Sequence, residues 1–318
     1  MAEPTTVVIT GAPAASAWPP RPTSTSGAGG WWPPCAHPRS AWTGCGRPPA
    51  RADDPRLVAV RLDLADPEAI SGAAGAILDV VGAPHGLVHN AGMAAVGAVE
   101  ELPDDVLHLM FATNVVGPML LTKSLLPAMR TASRGRIVAV SSEGGIRGMP
   151  AIGAYSATKG SLERWAESLS QEIAPFGLGV TVLVAGTFKT DILELTPTYA
   201  DADGPYAGLH VALGRMEAPV QRFAASPDRF APAVARALAD TAPFVRRAVG
   251  LDARAMLPAS RILPTRLFQR VVGVALGLPS PGALEDDDAR LRRVHPRDDG
   301  QEHAPAARAE QGERPSHG

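Results

Sequence analysis

GRIVAVSSEGGIRGMPAIGAYSATKGSLERWAESLSQEI, residues 135–173, decides the fold. Its first eight residues (GRIVAVSS, 135–142) form a near-continuous apolar run, the pattern of a strand covered on both faces of a parallel sheet. Over 153–174 apolar residues recur at helical spacing, which predicts an amphipathic helix. Tyr155 and Lys159 stand four apart on that helix and so face the same way. Ser142 closes the strand, thirteen residues before Tyr155.

The same alternation runs outward in both directions. Downstream, LGVTVLVA (178–185) is the next predicted strand, followed by a helix over 227–240, a strand FVRRAVG (244–250) and an amphipathic helix over 263–276. Upstream, TTVVIT (5–10), LVAVRL (57–62) and GLVHN (86–90) read as strands. Helices are predicted over 66–81, opened by the Asp66-Pro67-Glu68 cap, and over 103–130. Strands alternating with helices of this length imply βαβ units and a single doubly wound parallel α/β domain, Rossmann-like, over residues 1–280. Beyond Val294 the chain has no large aliphatic residue, so a charged, disordered tail is expected over 281–318.

The 318-residue chain is 45% apolar and 19% charged, with a formal net charge of −2. That balance points away from nucleic-acid and anionic-membrane partners. Cys35 and Cys45 cannot build a disulfide framework and have no metal-ligand spacing. His85 and His89 are four apart, but the second falls in a strand, so no metal pair is expected. No apolar run reaches the roughly 18 residues of a membrane span. With no basic-then-apolar leader at the start, the expectation is a cytoplasmic protein without an integral membrane segment.

YSATK at 155–159, Ser142 at a strand end, Asn114 within a helix and Asn90-Ala91-Gly92 leaving a strand resemble, in this order and spacing, the short-chain dehydrogenase/reductase family. The resemblance spans about 57–250 plus the first strand. It implies an NAD- or NADP-dependent oxidoreductase that interconverts a secondary alcohol and a ketone. A tyrosine, with an ordinary pKa of about 10, is a poor acid–base group near neutrality, and a nearby ammonium lowers it. The resemblance thus makes Tyr155 the acid/base and Lys159 the group that lowers its pKa and holds the nicotinamide ribose. Ser142 would orient the carbonyl, and Asn114 would keep a water relay to Lys159. Thr10, Gly11, Asn90, Ala91 and Gly92 would line the cofactor cleft, and Asp63 would meet the adenine. In AGTFKT (185–190), Gly186, Phe188 and Thr190 match the segment that meets the nicotinamide, with Ala185 in place of the usual proline. Residues 191–226 would form the substrate lid. The stretch from Ser141 to Leu195 and the helices after 250 look most like hydroxysteroid and retinol dehydrogenase-like members, which implies a small apolar alcohol or ketone. A homo-oligomer, dimer or tetramer, is implied through the helices carrying Asn114 and Tyr155.

One part departs from the family. The phosphate-binding loop needs T-G-x-x-x-G-x-G, whose glycines let the backbone approach the pyrophosphate at a helix N-terminus. Here Thr10-Gly11 is followed by Ala12-Pro13-Ala14-Ala15-Ser16-Ala17, with alanine at both later glycine positions. From Thr10 to Arg56 there is no Leu, Ile, Val, Met, Phe or Tyr, while four of the five Trp and both Cys fall there. A structureless stretch of this length is improbable inside a compact domain. Coded as GCG GCA TCG GCC TGG CCA CC, Ala14 to Pro20 would spell Gly-Ile-Gly-Leu-Ala-Thr in the frame that starts at the last G of the first codon. Two compensating frame shifts, near Gly11–Ala14 and between Arg47 and Arg56, would account for the stretch. A different class of function is therefore also open: a catalytically dead relic or binding protein that lacks the glycine loop. A third, minor reading is membrane association through the 263–276 helix.

Overall fold

The computed structural model describes residues 6–11, 58–189 and 196–284. Five parallel strands form one sheet in the order β1 (Val7–Ile9), β2 (Gly86–His89), β3 (Gly135–Ser142), β4 (Leu178–Ala185), β5 (Phe244–Val249). The two longest strands are β3 and β4, eight residues each, and β4 is buried from Leu178 through Val184. Side chains alternate across the sheet. Leu87, Ile137, Ala139, Val180, Val182 and Val184 face one layer; Val88, Val138 and Leu183 face the other.

The first layer holds α1 (Pro67–Val81), α3 (Gly117–Thr131) and α5 (Gly153–Ile173). Asp66 caps α1 by accepting from the Glu68 amide at 2.9 Å, Pro67 opens the first turn, and Gly82 ends it at φ 61°. On α5, Leu162, Ala166, Leu169 and Ile173 are buried at i, i+4, i+7 and i+11. Each such leucine or isoleucine contributes roughly 1.5–3 kcal/mol by leaving water. The opposite layer holds α7 (Phe230–Leu238), whose Ala237 is fully buried beside Val138 and Leu183. The sheet advances in one direction throughout, so the β4–α7–β5 crossover has the opposite hand to the β2–α3–β3 and β3–α5–β4 crossovers, against the usual rule.

The expected helix over 103–130 is interrupted. It comprises α2 (Asp104–Phe111), a π-turn (Ala112–Val116) and α3. By length and composition Asp104–Thr131 could cross a membrane, but it packs against α1 and α5 as a core element of the domain. The expected strand over 57–62 does not form in its described part, Val58–Leu62. A strand needs a neighbour for its backbone groups, and β1 pairs only β2 among the described residues. Val60 and Leu62 still pack against the core. Between the helix α4 (Glu143–Ile146) and β5 lies α6 (Ala207–Phe223). After β5 come α8 (Leu251–Ile262) and α9 (Thr265–Ala275). Residues 12–57, with the altered loop and the proposed frame shifts, and the tail from 285 lie outside the described residues.

Candidate active site

Parallel sheets present ligand sites at the carboxyl ends of their strands, and four strand ends meet here. At the end of β1 the buried Thr10 hydroxyl accepts from the amides of Asn90 and Ala91, both at 3.1 Å. The Asn90 side chain donates back to the Thr10 carbonyl at 3.2 Å. Gly11, at φ 76°, lies so close to Ala91 that a Cβ would stand 2.5 Å from its Cα. Thr10, Gly11, Asn90 and Ala91 are thus one stitched corner.

The π-turn places Asn114 inside, 1% exposed. A π-turn slips the hydrogen-bond ladder by one residue, a device common at functional sites. Asn114 Oδ1 accepts from the Met93 amide at 2.8 Å. Its Nδ2 donates to the Met93 carbonyl at 2.8 Å and to Thr158 Oγ1 at 3.0 Å. Thr158 in turn donates to the Tyr155 carbonyl at 2.8 Å. A Cβ on Gly92 would lie 3.2 Å from both Asn114 Oδ1 and Lys159 Nζ, so only glycine leaves open the space between the strand end and these two side chains.

Lys159 is buried, and its Nζ donates to the Val140 carbonyl at 2.9 Å, 5.9 Å from the centre of the Tyr155 ring. Burial pulls its pKa down to about 8. Tyr155 is half-buried, and its pKa is raised, first by burial and then by the nearby Glu143 carboxylate; the Ser142 hydroxyl, within reach of the phenol, opposes them. The sequence reading has Lys159 lowering this phenol. The protein alone moves it up, because the phenol itself is buried. Ser142 caps α4 by accepting from the Gly144 amide at 3.3 Å. Gly144 and Gly145 press α4 onto α5: a Cβ on Gly145 would stand 2.9 Å from the Lys159 backbone.

These positions correspond to a known family. A model of the short chain dehydrogenase family matches residues 49–199. The 3-ketodihydrosphingosine reductase of Bacteroides thetaiotaomicron is 32% identical over 190 residues, 58% of this chain and 69% of that protein. A short-chain dehydrogenase from Streptomyces avermitilis, solved as a crystal structure, is 33% identical with a TM-score of 0.59, over 71% of this chain and 82% of that one. The chain belongs to the short-chain dehydrogenase/reductase family. It spans about half the length of another curated relative, the bovine dehydrogenase/reductase SDR family member 7B: 37% identity over 162 residues, 51% of this chain and 49% of that protein.

Within this dehydrogenase-family chain, the β4 end carries the segment expected to meet the nicotinamide. Phe188 is buried against Phe230, ring centres 5.5 Å apart. Its bridge to Ala225 uses the Thr187 carbonyl and the Lys189 amide, which leaves the Phe188 amide outside the bridge. Thr190 lies outside the described residues. Asp63 accepts from the Ala65 amide at 2.9 Å, forming a local turn before α1. His85 bonds Thr6, and His89 is buried against Thr122 at 2.7 Å, where burial lowers its pKa to about 3. Both histidines thus serve the sheet.

Sequence reasoning missed two acids. Glu143 directly follows Ser142; burial and the Asp252 carboxylate push its pKa up to about 7 against an opposing Thr187 hydrogen bond, and its Oε2 has no partner. Asp252, on α8, accepts from the Thr187 amide at 2.5 Å and fills the space over Gly186, where any Cβ would strike its carboxylate. A carboxylate 65 residues downstream leaves no local signal. The expected lid segment docks through Tyr199, which packs with Met93, Leu102, Ala154 and Tyr155 against a buried apolar cluster of Ala95, Val106 and Met110.

Proposed function

We propose that this chain oxidises a secondary alcohol, or reduces the corresponding ketone, with NAD or NADP. The observation that carries the reading is Tyr155 set beside Ser142 and one helical turn from the buried Lys159, at the carboxyl end of β3. The bound dinucleotide supplies the hydride acceptor or donor. Lys159, Gly92, the Asn90–Ala91 corner and the Phe188 amide are the residues that would hold its nicotinamide half, and the space kept open by Gly92 fits that group. Tyr155 gives its proton to the nascent alkoxide in reduction and takes it in oxidation. Ser142 orients the substrate oxygen. Asn114 ties Met93 to Thr158 and so holds the strand end at a fixed distance from the Tyr155 turn, besides its proposed relay role. The apolar cluster that Tyr155 joins with Met93, Leu102, Ala154 and Tyr199 favours a small apolar alcohol or ketone. Assembly as a homo-oligomer through α3 and α5 is part of the proposal; their outer faces leave a groove lined by Met119, Leu126, Trp165 and Phe176.

The family match begins at residue 49, past most of the stretch attributed to the frame shifts, and covers every proposed catalytic residue. The test is turnover of a ketone panel by the purified full chain with NADH or NADPH. Y155F should lose about 10²–10⁴-fold in turnover while cofactor fluorescence titration stays nearly unchanged. No turnover and no cofactor binding by the wild type would return the reading to the relic.

A further inference from the structure

The surface beyond β5 differs in charge from the rest of the molecule. From Ala253 to Leu284 there is no Asp or Glu, yet there are four arginines, Arg254, Arg261, Arg266 and Arg270, in a chain whose overall charge is −2. None of the four pairs with a carboxylate among the described residues. On α9, Phe268 points inward and is buried. Leu267, Val271 and Val274 recur at i, i+4 and i+7 on the opposite, solvent side, with Val274 78% exposed. Arg266 and Arg270 lie along one edge of that stripe. Ile262, at the end of α8, is 79% exposed beside it in sequence.

This hairpin is fastened to the active-site side of the domain. Arg147, just past α4, donates to the Ser260 carbonyl at 2.6 Å and to Thr265 Oγ1 at 3.1 Å, and stacks on Phe268. At its other end α8 begins with Asp252, the carboxylate that clamps Thr187.

We propose that α8 and α9 form a docking surface for an anionic lipid bilayer, with Leu267, Val271 and Val274 entering the interface and the arginines meeting lipid phosphates. An apolar stripe bordered by arginine is the pattern of a helix lying in a membrane interface. A second copy fits less well, because a two-fold contact through this face would set arginine against arginine with no acid between.

Flotation of the full-length protein with vesicles tests the surface independently of turnover. With three parts phosphatidylcholine to one part phosphatidylglycerol the wild type should float. It should float far less with phosphatidylcholine alone, and less as salt rises from about 0.1 to about 0.5 M, where screening shortens the reach of charge. Each arginine near the surface is worth about fivefold in partitioning, so R266E/R270E should lose at least about 25-fold. V271D should also lose flotation while retaining its circular dichroism and its turnover of a water-soluble ketone. Absence of wild-type flotation on the anionic vesicles overturns the proposal, including the case in which the acidic Glu285–Asp288 run occupies the face instead. Equal flotation of wild type and both variants overturns it too. A change of oligomeric mass in V271D, with no vesicle binding by the wild type, would assign the face to a second copy.

Discussion

Glu163 and Arg246 form an ion pair beneath the helix that carries Tyr155 and Lys159. Glu163 is 2% exposed and also accepts from Ser141 Oγ at 2.6 Å, so one carboxylate ties α5 to β3 next to Ser142 and to β5 at the sheet edge. Removing one partner of a buried pair leaves a charge without compensation. R246M should therefore destabilise the protein by about 3 kcal/mol, read from urea unfolding. The R246M/E163Q double variant should recover most of that loss. Equal stability of R246M and the wild type would mean the pair does not hold the helix.

The raised phenol of Tyr155 sets the direction of the pH dependence. Oxidation needs the deprotonated tyrosine, so kcat/KM for the alcohol should climb as pH rises across neutrality and keep climbing on the alkaline side. Ketone reduction needs the phenol protonated and should hold level at neutrality, then fall on the alkaline side. Profiles of kcat/KM in both directions decide it. An oxidation profile already flat from pH 6 would show a phenol lowered instead.

Glu143 ties stability to pH with the opposite sign to an ordinary surface carboxylate. Its pKa in the folded protein is about 7, above the usual 4.5, so between those values the unfolded chain releases a proton that the folded chain keeps. The stabilisation is whole below the lower value and fades as pH rises through 7, by about 1–3 kcal/mol. E143Q has no such proton to lose. Melting temperatures of the two proteins should diverge between pH 5 and pH 8, with the wild type declining relative to the variant; parallel curves would contradict the assignment.

Sequencing the gene across codons 10–57 should reveal a shifted reading frame that spells Gly-Ile-Gly. Restoring that frame should give tight dinucleotide binding, measured by fluorescence titration. A gene with no such hidden run would mean that the alanines of the loop are native.

What the sequence made legible follows from how local each signal is. The buried strands β3 and β4 have the bounds their apolar runs predict, Gly135–Ser142 and Leu178–Ala185, because enclosure on both faces depends on the run alone. Tyr155, Lys159 and Ser142 were legible because helical spacing and a strand end place them. The run over 57–62 was not, since an apolar segment becomes a strand only beside a partner. The π-turn at Ala112–Val116 changes which carbonyl each amide meets and leaves the apolar spacing almost intact. Glu143 and Asp252, 109 positions apart in the chain, could become neighbours only through the fold.

Asp252 gives α8 two duties at opposite ends. Its first turn grips the Thr187 amide; its last turn runs into the arginine-bordered hairpin. At 1.5 Å of rise per residue, the ten positions from Asp252 to Ile262 span about 15 Å, so one helix connects the hairpin to the Gly186–Thr187 loop. The outer hairpin is thus joined through a single helix to the loop after β4, the segment proposed to meet the nicotinamide.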